Sequence, residues 1–457
     1  MKRVLSAVVL VVLAATGLRA QDVRLDVDYE QVTLPNGLNV ILQRDTTIPM
    51  VAVNVWYHAG SAREKPGRTG FAHLFEHIMF EGSGHVAEGK FDQWLEAAGG
   101  VNNGSTTEDR TNYYELVPSN ALDLALFLES DRMGYLLDAM SPEKVDGQRD
   151  VVKNERRFRV DNRPYGKAFL AINEHLYPPD HPYSWSVIGS MEDLSAASFE
   201  DVLDFHRTWY APGNASLAIV GDFDPAILKE RLQYWFGDVD AGPAVGPVPA
   251  PPAFLTEEKR VVMEDRVQLP RLYMCWLSAP IYQPGDAELD IAANTLAGGK
   301  TSRLYKRLVY DMEIAQDVSA FQGSGEVSSQ FCIVSTARAG HDLNEIETVI
   351  QEELDLLKAE GPSDREVQRA LNQYEASFLG GSESLLGLAD RLNGYYFRTG
   401  NPDYFNEDLA RYKALSRSDV RAVVRSTLRD NGRLVLSVVP EGRTDLAATK
   451  KLASEEE

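Results

Sequence analysis

Two histidines and a glutamate stand inside an otherwise apolar run, Thr69-Gly-Phe-Ala-His-Leu-Phe-Glu-His-Ile-Met-Phe80. Phe71, Leu74, Phe75, Ile78, Met79 and Phe80 make the run apolar on nearly every side, which predicts a buried helix. His73 and His77 are four residues apart and share one helical face, and Glu76 lies close to that face. Leaving three such groups buried and unpaired would cost roughly 1 to 3 kcal/mol each, and a metal ion removes that difficulty. Two imidazoles suit zinc, and a hydrolytic zinc site needs three protein ligands plus an open position for water. Glu76, one residue before the second histidine, is the residue type that takes a proton from such a water.

The order His-x-x-Glu-His inverts that of the commoner zincin helix and is a peptidase signature in its own right. A third ligand has to come from elsewhere. Val151-Val-Lys-Asn-Glu155-Arg-Arg reads as a downstream helix and offers Glu155, with Glu143, Glu129 and His85 as alternatives on residue type.

The elements that must position these side chains fall into two halves. A chain of 457 residues exceeds one ordinary core, so two or more domains of roughly 100 to 250 residues are expected. Ala241 to Phe254 gathers Gly242, Pro243, Gly246, Pro247, Pro249, Pro251 and Pro252, the composition of a semi-rigid linker. We therefore expect a zinc-bearing domain over 21–240, a linker over 241–254 and a homologous domain over 255–457. Homology between the halves is suggested by a repeated order of Ser-capped helix, polar turn and apolar strand. In the first half Ser198 precedes Val202, Phe205 and Trp209, and Pro212-Gly213-Asn214 turns into Ala215 to Val220. In the second, Ser416 or Ser418 precedes Val420, Val423 and Val424, and Asn431-Gly432 turns into Leu434 to Val439. Pro35-Asn36-Gly37 between apolar runs predicts a hairpin. Helical patterns over Phe91–Ala98, Ala121–Met140 and Glu143–Val160 alternate with these strands, which makes the fold class α+β, with mostly antiparallel sheets and helices on one face of each.

Residues 1–20 carry Lys2 and Arg3, an apolar run from Ala7 to Ala15 and small residues ending at Ala20, the layout of a secretory signal peptide. The apolar run is short of the ~20 residues a spanning helix needs, so an exported, periplasmic protein without a membrane anchor is expected. The net charge of −22 becomes more negative once Lys2, Arg3 and Arg19 are removed. Such a field disfavours nucleic acid and membrane surfaces as partners. Cys275 and Cys332, each inside an apolar strand-like run, read as buried thiols rather than a disulfide framework, with a single bridge between them as the alternative. Gly298-Gly299-Lys300-Thr301 lacks the first glycine and the spacing of a phosphate-binding loop.

Taken with Gly99-Gly100-Val-Asn-Asn103, Asp109-Arg-Thr-Asn-Tyr-Tyr114, Tyr210-Ala-Pro-Gly-Asn214 and Gly221-Asp222, the zinc-type helix gives a chain that resembles the pitrilysin and mitochondrial processing peptidase family of metallopeptidases. The resemblance implies two homologous domains forming half of a clamshell, one Zn2+ per chain, and hydrolysis of unfolded peptides. It implies Glu155 as the third ligand beside His73 and His77, with Glu76 as general base. It also implies that Asn102 to Thr106 is an edge strand to which substrate adds, making Asn102, Asn103 and Gly104 candidate substrate contacts. Two departures stand out. Where the family has a glutamate that supports the ligands from outside, this chain has Gln148, an amide that hydrogen-bonds without adding charge. Where the family places an arginine and, seven residues later, a tyrosine in the second domain, this chain has Val309 and Gln316. That gap predicts a heterodimer with a homologous zinc-less subunit supplying both groups, or else a homodimer. The alternative reading is a non-catalytic scaffold or peptide-binding subunit of the same fold.

Overall fold

The computed structural model describes residues 23–449, so the signal-peptide reading lies outside the described residues. Within them the chain forms two sheets. The first contains β1 (Glu30–Thr33), β2 (Asn39–Arg44), β3 (Met50–Tyr57), β4 (Val101–Thr106), β5 (Thr111–Pro118) and β6 (Ala215–Gly221) in the order β1-β2-β6-β3-β5-β4. The second contains β7 (Lys259–Asp265), β8 (Arg271–Ser278), β9 (Ala315–Gly323), β10 (Ser329–Ala337) and β11 (Arg433–Pro440) in the order β7-β11-β8-β10-β9. In each sheet one pair is parallel, β2 with β6 and β7 with β11, and the rest are antiparallel. Apart from the extra β1, the two orders match strand for strand, so β9 occupies in the second sheet the edge that β4 occupies in the first.

Residues 23–240 also supply α1 (Phe71–Ile78), α2 (Lys90–Ala97), α3 (Leu122–Tyr135), α4 (Pro142–Arg156), α5 (Ala168–Leu176), α6 (Met191–Ala196), α7 (Phe199–Trp209) and α8 (Pro225–Phe236). Beyond them come α9 (Asp286–Ala297), α10 (Leu343–Glu360), α11 (Asp364–Gly380), α12 (Leu385–Thr399), α13 (Phe405–Lys413) and α14 (Arg417–Thr427). The repeated unit is visible in detail. Ser198 and Asp201 form a capping box at α7, and Ser416 and Asp419 form one at α14, each satisfying N–H groups that a helix start leaves unpaired. Single 3-10 turns, Pro212–Asn214 and Asp430–Gly432, then lead into the central strands β6 and β11.

Those central strands are buried along nearly their whole length, because both faces of each sheet are covered. Val51, Val53, Val55, Leu217 and Ile219 pack with Phe75, Leu126 and Val202, from helices of the same half. The opposite face, Ile41, Ala52, Ala218 and Val220, is closed by Phe378, Ala389 and Leu392 of α11 and α12, which follow the second sheet's strand β10 in the chain. The exchange is reciprocal: Ala168, Ile172 and Leu176 of α5 pack on Tyr273, Leu434, Leu436 and Val438 of the second sheet. Burying each of Ile172 and Leu176 contributes about 1.5 to 3 kcal/mol.

Residues 241–258 carry neither helix nor strand. They run against folded surface, with the Gly213 N–H donating to the Ala241 carbonyl (3.1 Å) and Arg63 Nη1 to the Gly246 carbonyl (2.7 Å). One expectation is corrected. Cys275 and Cys332 are not thiols but a disulfide. They are direct partners in the β8–β10 ladder with Cα atoms 4.2 Å apart, and the close spacing of a cross-strand pair puts the two sulfurs within bonding reach.

Candidate metal centre

The start of α1 is fixed from outside the helix. Gly70 has a left-handed backbone (φ 90°), and a Cβ there would come within 2.9 Å of the Ile188 carbonyl oxygen, so the tight approach of residues 188–189 requires glycine. The buried Glu64 carboxylate accepts from the Gly70 N–H (2.9 Å) and the Ala72 N–H (2.8 Å). Asp193 accepts from Thr69 through its N–H (3.0 Å) and hydroxyl (2.6 Å). A carboxylate at this end also complements the positive end of the helix dipole. With the entry fixed, Phe71, Leu74, Phe75 and Ile78 go into the core, and the Phe75 carbonyl accepts from the Tyr113 hydroxyl (3.2 Å). His73, Glu76 and His77 are left on the less buried side.

Helix α4 brings Glu155 to that side. Its Oε2 lies 3.5 Å from His73 Nε2 and 3.2 Å from His77 Nε2, and the two imidazoles stand edge to face at 4.9 Å. One donor atom from each of the three residues lies within 4.8 Å of the others. Glu155 Oε2 is buried and has no hydrogen-bond partner, while Oε1 pairs with Arg159 at 2.7 Å. Burial, and then the neighbouring His77, push His73 down to about 4, which keeps the imidazole in its neutral, ligating form. Two imidazole nitrogens converging with an orphaned carboxylate oxygen fit a zinc ion with one position open. Among the described residues this is the one His/Cys/Asp/Glu group so arranged. His85 instead holds Asp131 (2.5 Å), Glu129 is in a buried ion pair with Arg132, and Glu143 is exposed in the first turn of α4.

Glu76 faces the edge strand. Its Oε2 accepts from the Thr106 hydroxyl at 2.5 Å, and a Cβ on Gly104 would stand 3.1 Å from its Cγ. Burial raises the Glu76 pKa, against the pull of the Thr106 hydrogen bond, a direction that suits a proton acceptor. β4, which carries both residues, is the last strand of its sheet. Asn102 donates to Asp92 (2.8 Å), and the Gly104 N–H is held by Asn103 Oδ1 (2.8 Å). Gln148 donates to Glu81 at 2.6 Å. A carboxylate therefore does enter this region, from a residue four positions after His77 that sequence reasoning passed over, as it passed over Glu64 and the bond from Thr106, the end of the expected edge strand, to Glu76. Glu81 lay within reach of the helical period; Thr106 and Glu64 depend on strand register and loop path, which leave no periodic signal. In the second domain Val309 lies in a π-helical turn, Tyr305–Asp311, and Gln316 is exposed on β9.

Two family models match successive parts of the chain: "Insulinase (Peptidase family M16)" over residues 39–177 and "Peptidase M16 inactive domain" over residues 196–374. Together they span more than half of it. The chain is 27% identical to "Zinc protease PqqE" of Helicobacter pylori, covering 95% of this chain and 98% of that one. It is 24% identical to "Probable mitochondrial-processing peptidase subunit beta, mitochondrial" of Arabidopsis thaliana, covering 89% and 78% respectively. Among solved structures, a protease from Helicobacter pylori superposes with a TM-score of 0.84 at 25% identity, covering 91% of this chain and all of that one. An M16 inactive domain from Pseudomonas fluorescens superposes at 0.81 with 19% identity, covering 90% and 98%, a likeness of fold.

Proposed function

This chain belongs to the M16 peptidase family, and from that premise we propose that it is a zinc-dependent endopeptidase acting on unfolded peptides or small polypeptides. The observation that carries the proposal is the convergence of His73, His77 and Glu155 beside a glutamate, Glu76, that touches the edge strand. His73, His77 and Glu155 would hold the ion, which when bound lowers the pKa of a water and polarises the scissile carbonyl. Glu76 takes the proton at its carboxylate and passes it to the leaving amine. Thr106 orients the acceptor oxygen, and β4 aligns an extended peptide through main-chain hydrogen bonds with little demand on its sequence.

The catalytic unit in this reading is a heterodimer. Val309 and Gln316 stand where the family resemblance places an arginine and a tyrosine, so a homologous partner chain completes the site. One relative, the Arabidopsis processing-peptidase beta chain, is named as a subunit, in keeping with this. The protein works outside the cytoplasm, in the periplasm, which the leader-like residues 1–20 and the Cys275–Cys332 disulfide support. The absent pair of side chains favours a second reading, a peptide-capturing subunit without turnover.

Zinc analysis with a quenched fluorescent peptide separates the two. The purified chain is expected to bind one zinc and to cleave slowly alone. Glu76→Gln is expected to keep the zinc and lose cleavage, by about 100-fold or more. Undiminished turnover by that variant would remove Glu76 from the chemistry, and full activity of the lone chain would remove the partner.

A further inference from the structure

On the sheet face opposite the metal cluster, the indole of Trp56 has two arginines against it, with Arg110 Cζ 5.0 Å and Arg398 Cζ 5.7 Å from its ring centroid. Trp56 alternates along β3 with Val53, Val55 and Tyr57, which pack in the core beneath the metal helix, so its side chain is on the other face. Trp56, Arg110, Arg398, Tyr282 and Asp390 line a cavity of about 290 Å³ between the first sheet and α12. A neighbouring cavity of about 270 Å³ shares Arg110 and Asp390 and reaches Ser105 and Asn112 of the β4–β5 hairpin.

The carboxylates in this space are bonded to partners other than these two arginines. Asp390 accepts from Trp56 Nε1 (3.1 Å), Asn54 (3.3 Å) and Asn112 (3.4 Å). Asp408, also in the lining, is held by Arg411 (2.8 Å), Tyr374 (3.0 Å) and Tyr395 (2.9 Å). Arg110 donates to the Ser105 carbonyl (2.9 Å) and hydroxyl (2.7 Å), and Arg398 reaches the Gly394 carbonyl at 3.4 Å with its buried Nε unpartnered. Among the described residues, neither arginine has a carboxylate within 4 Å. Asp390 acts on Arg110 and Glu326 on Arg398 through space only, not by a direct ion pair, so two guanidinium groups at one aromatic wall keep N–H donors to spare, and the planar guanidinium fork fits a carboxylate.

We propose that this cavity binds a carboxylate of the peptide substrate, either the C-terminal carboxylate or an acidic side chain. The proposal rests on the peptide-binding reading above and adds a second anchor to it. A peptide paired with β4 sends alternate side chains to opposite faces: one set towards Glu76, the other towards this cavity. Arg110 links the two, because it grips Ser105 of the edge strand while lining the arginine pocket. A protein of strongly negative net charge thus keeps a local positive site for an acidic or C-terminal group.

The test is binding, not turnover. The chain carrying Glu76→Gln is titrated, by fluorescence anisotropy, into three labelled unstructured peptides of one sequence: a free acid without internal carboxylates, its C-terminal amide, and that amide with one internal Glu. At least one carboxylate-bearing peptide is expected to bind about tenfold tighter than the neutral amide, the size of one charge-assisted hydrogen bond. Arg398→Gln is expected to abolish the difference and Arg398→Lys to keep part of it, with thermal melts confirming that both variants fold. Which peptide keeps the advantage identifies the source of the carboxylate. Equal binding of all three, or a preference that survives both Arg398→Gln and Arg110→Gln, overturns the cavity proposal alone. Absence of any peptide binding overturns it together with the peptide reading. Failure to find zinc or turnover leaves this measurement readable.

Discussion

Glu64 hydrogen-bonds to none of His73, His77 and Glu155, yet it fixes where α1, the helix of the two histidines, begins. Its carboxylate accepts from the Gly70 and Ala72 N–H groups, so Glu64→Ala leaves buried donors unsatisfied and should cost about 1 to 3 kcal/mol. Glu64→Gln keeps an acceptor and should cost less; urea denaturation of the three proteins checks the order. A second residue-scale prediction concerns pH. Burial pushes Asp290 up to about 7, against a hydrogen bond from Tyr412 (2.6 Å). The folded chain therefore holds a proton that the unfolded chain has already released, and between about 3.8 and 7 this contribution to stability falls as pH rises. The full effect is on the order of 4 kcal/mol at most. Asp290→Asn should match the parent near pH 4 and melt at a higher temperature at pH 8; an equal shift at both values would contradict the assignment. At this scale the sequence exposes what is periodic. His73, Glu76 and His77 follow from helical spacing, whereas Glu155 reached the cluster by family resemblance. Glu64, Thr106 and Arg110 act across loops and strand register, so nothing in their spacing marks them.

Strand β4 carries the site's geometry at the scale of elements. Gly104 is needed there for space: a Cβ would meet Glu76 Cγ at 3.1 Å and the Asn112 carbonyl oxygen at 3.3 Å. Gly104→Val should displace Glu76 and lower kcat by about tenfold or more, with zinc content and melting temperature little changed. In the second sheet, the Cys275–Cys332 bridge joins residues 57 apart in sequence. Chain entropy for a loop of that size gives about 4 kcal/mol of stabilisation, so dithiothreitol should lower the melting temperature measurably in the parent and not in the double Cys→Ser variant. Capping serines, the hairpin at Pro35-Asn36-Gly37 and the apolar central strands were all legible in the sequence. The bridge was not, because two cysteines in apolar strands look alike whether or not the register sets them side by side.

For the molecule as a whole, residues 241–258 are not the only tie between the two sheets. α12 seals the back of the first sheet and α5 seals the back of the second, an exchange invisible to any local pattern because each helix is amphipathic in the ordinary way. The chain should unfold in one calorimetric transition, and residues 23–240 produced alone should aggregate, since Ile41, Ala52, Ala218 and Val220 would be bare. Two resolved transitions would show that the halves fold independently. The edge strand bears on solubility too. If β4 takes up substrate as proposed, an edge open to a peptide is equally open to a second copy of the same chain, and the usual guards against such pairing, a lysine, a proline or a covering helix, would also shut out the peptide. Asn103 offers a compromise: its side-chain oxygen occupies the Gly104 N–H and is displaced at the modest cost of one neutral hydrogen bond, roughly 0.5 to 1.5 kcal/mol. On that proposal an incoming peptide with many main-chain bonds to gain would lift that cover, while a brief encounter between two folded molecules would gain too little to do so.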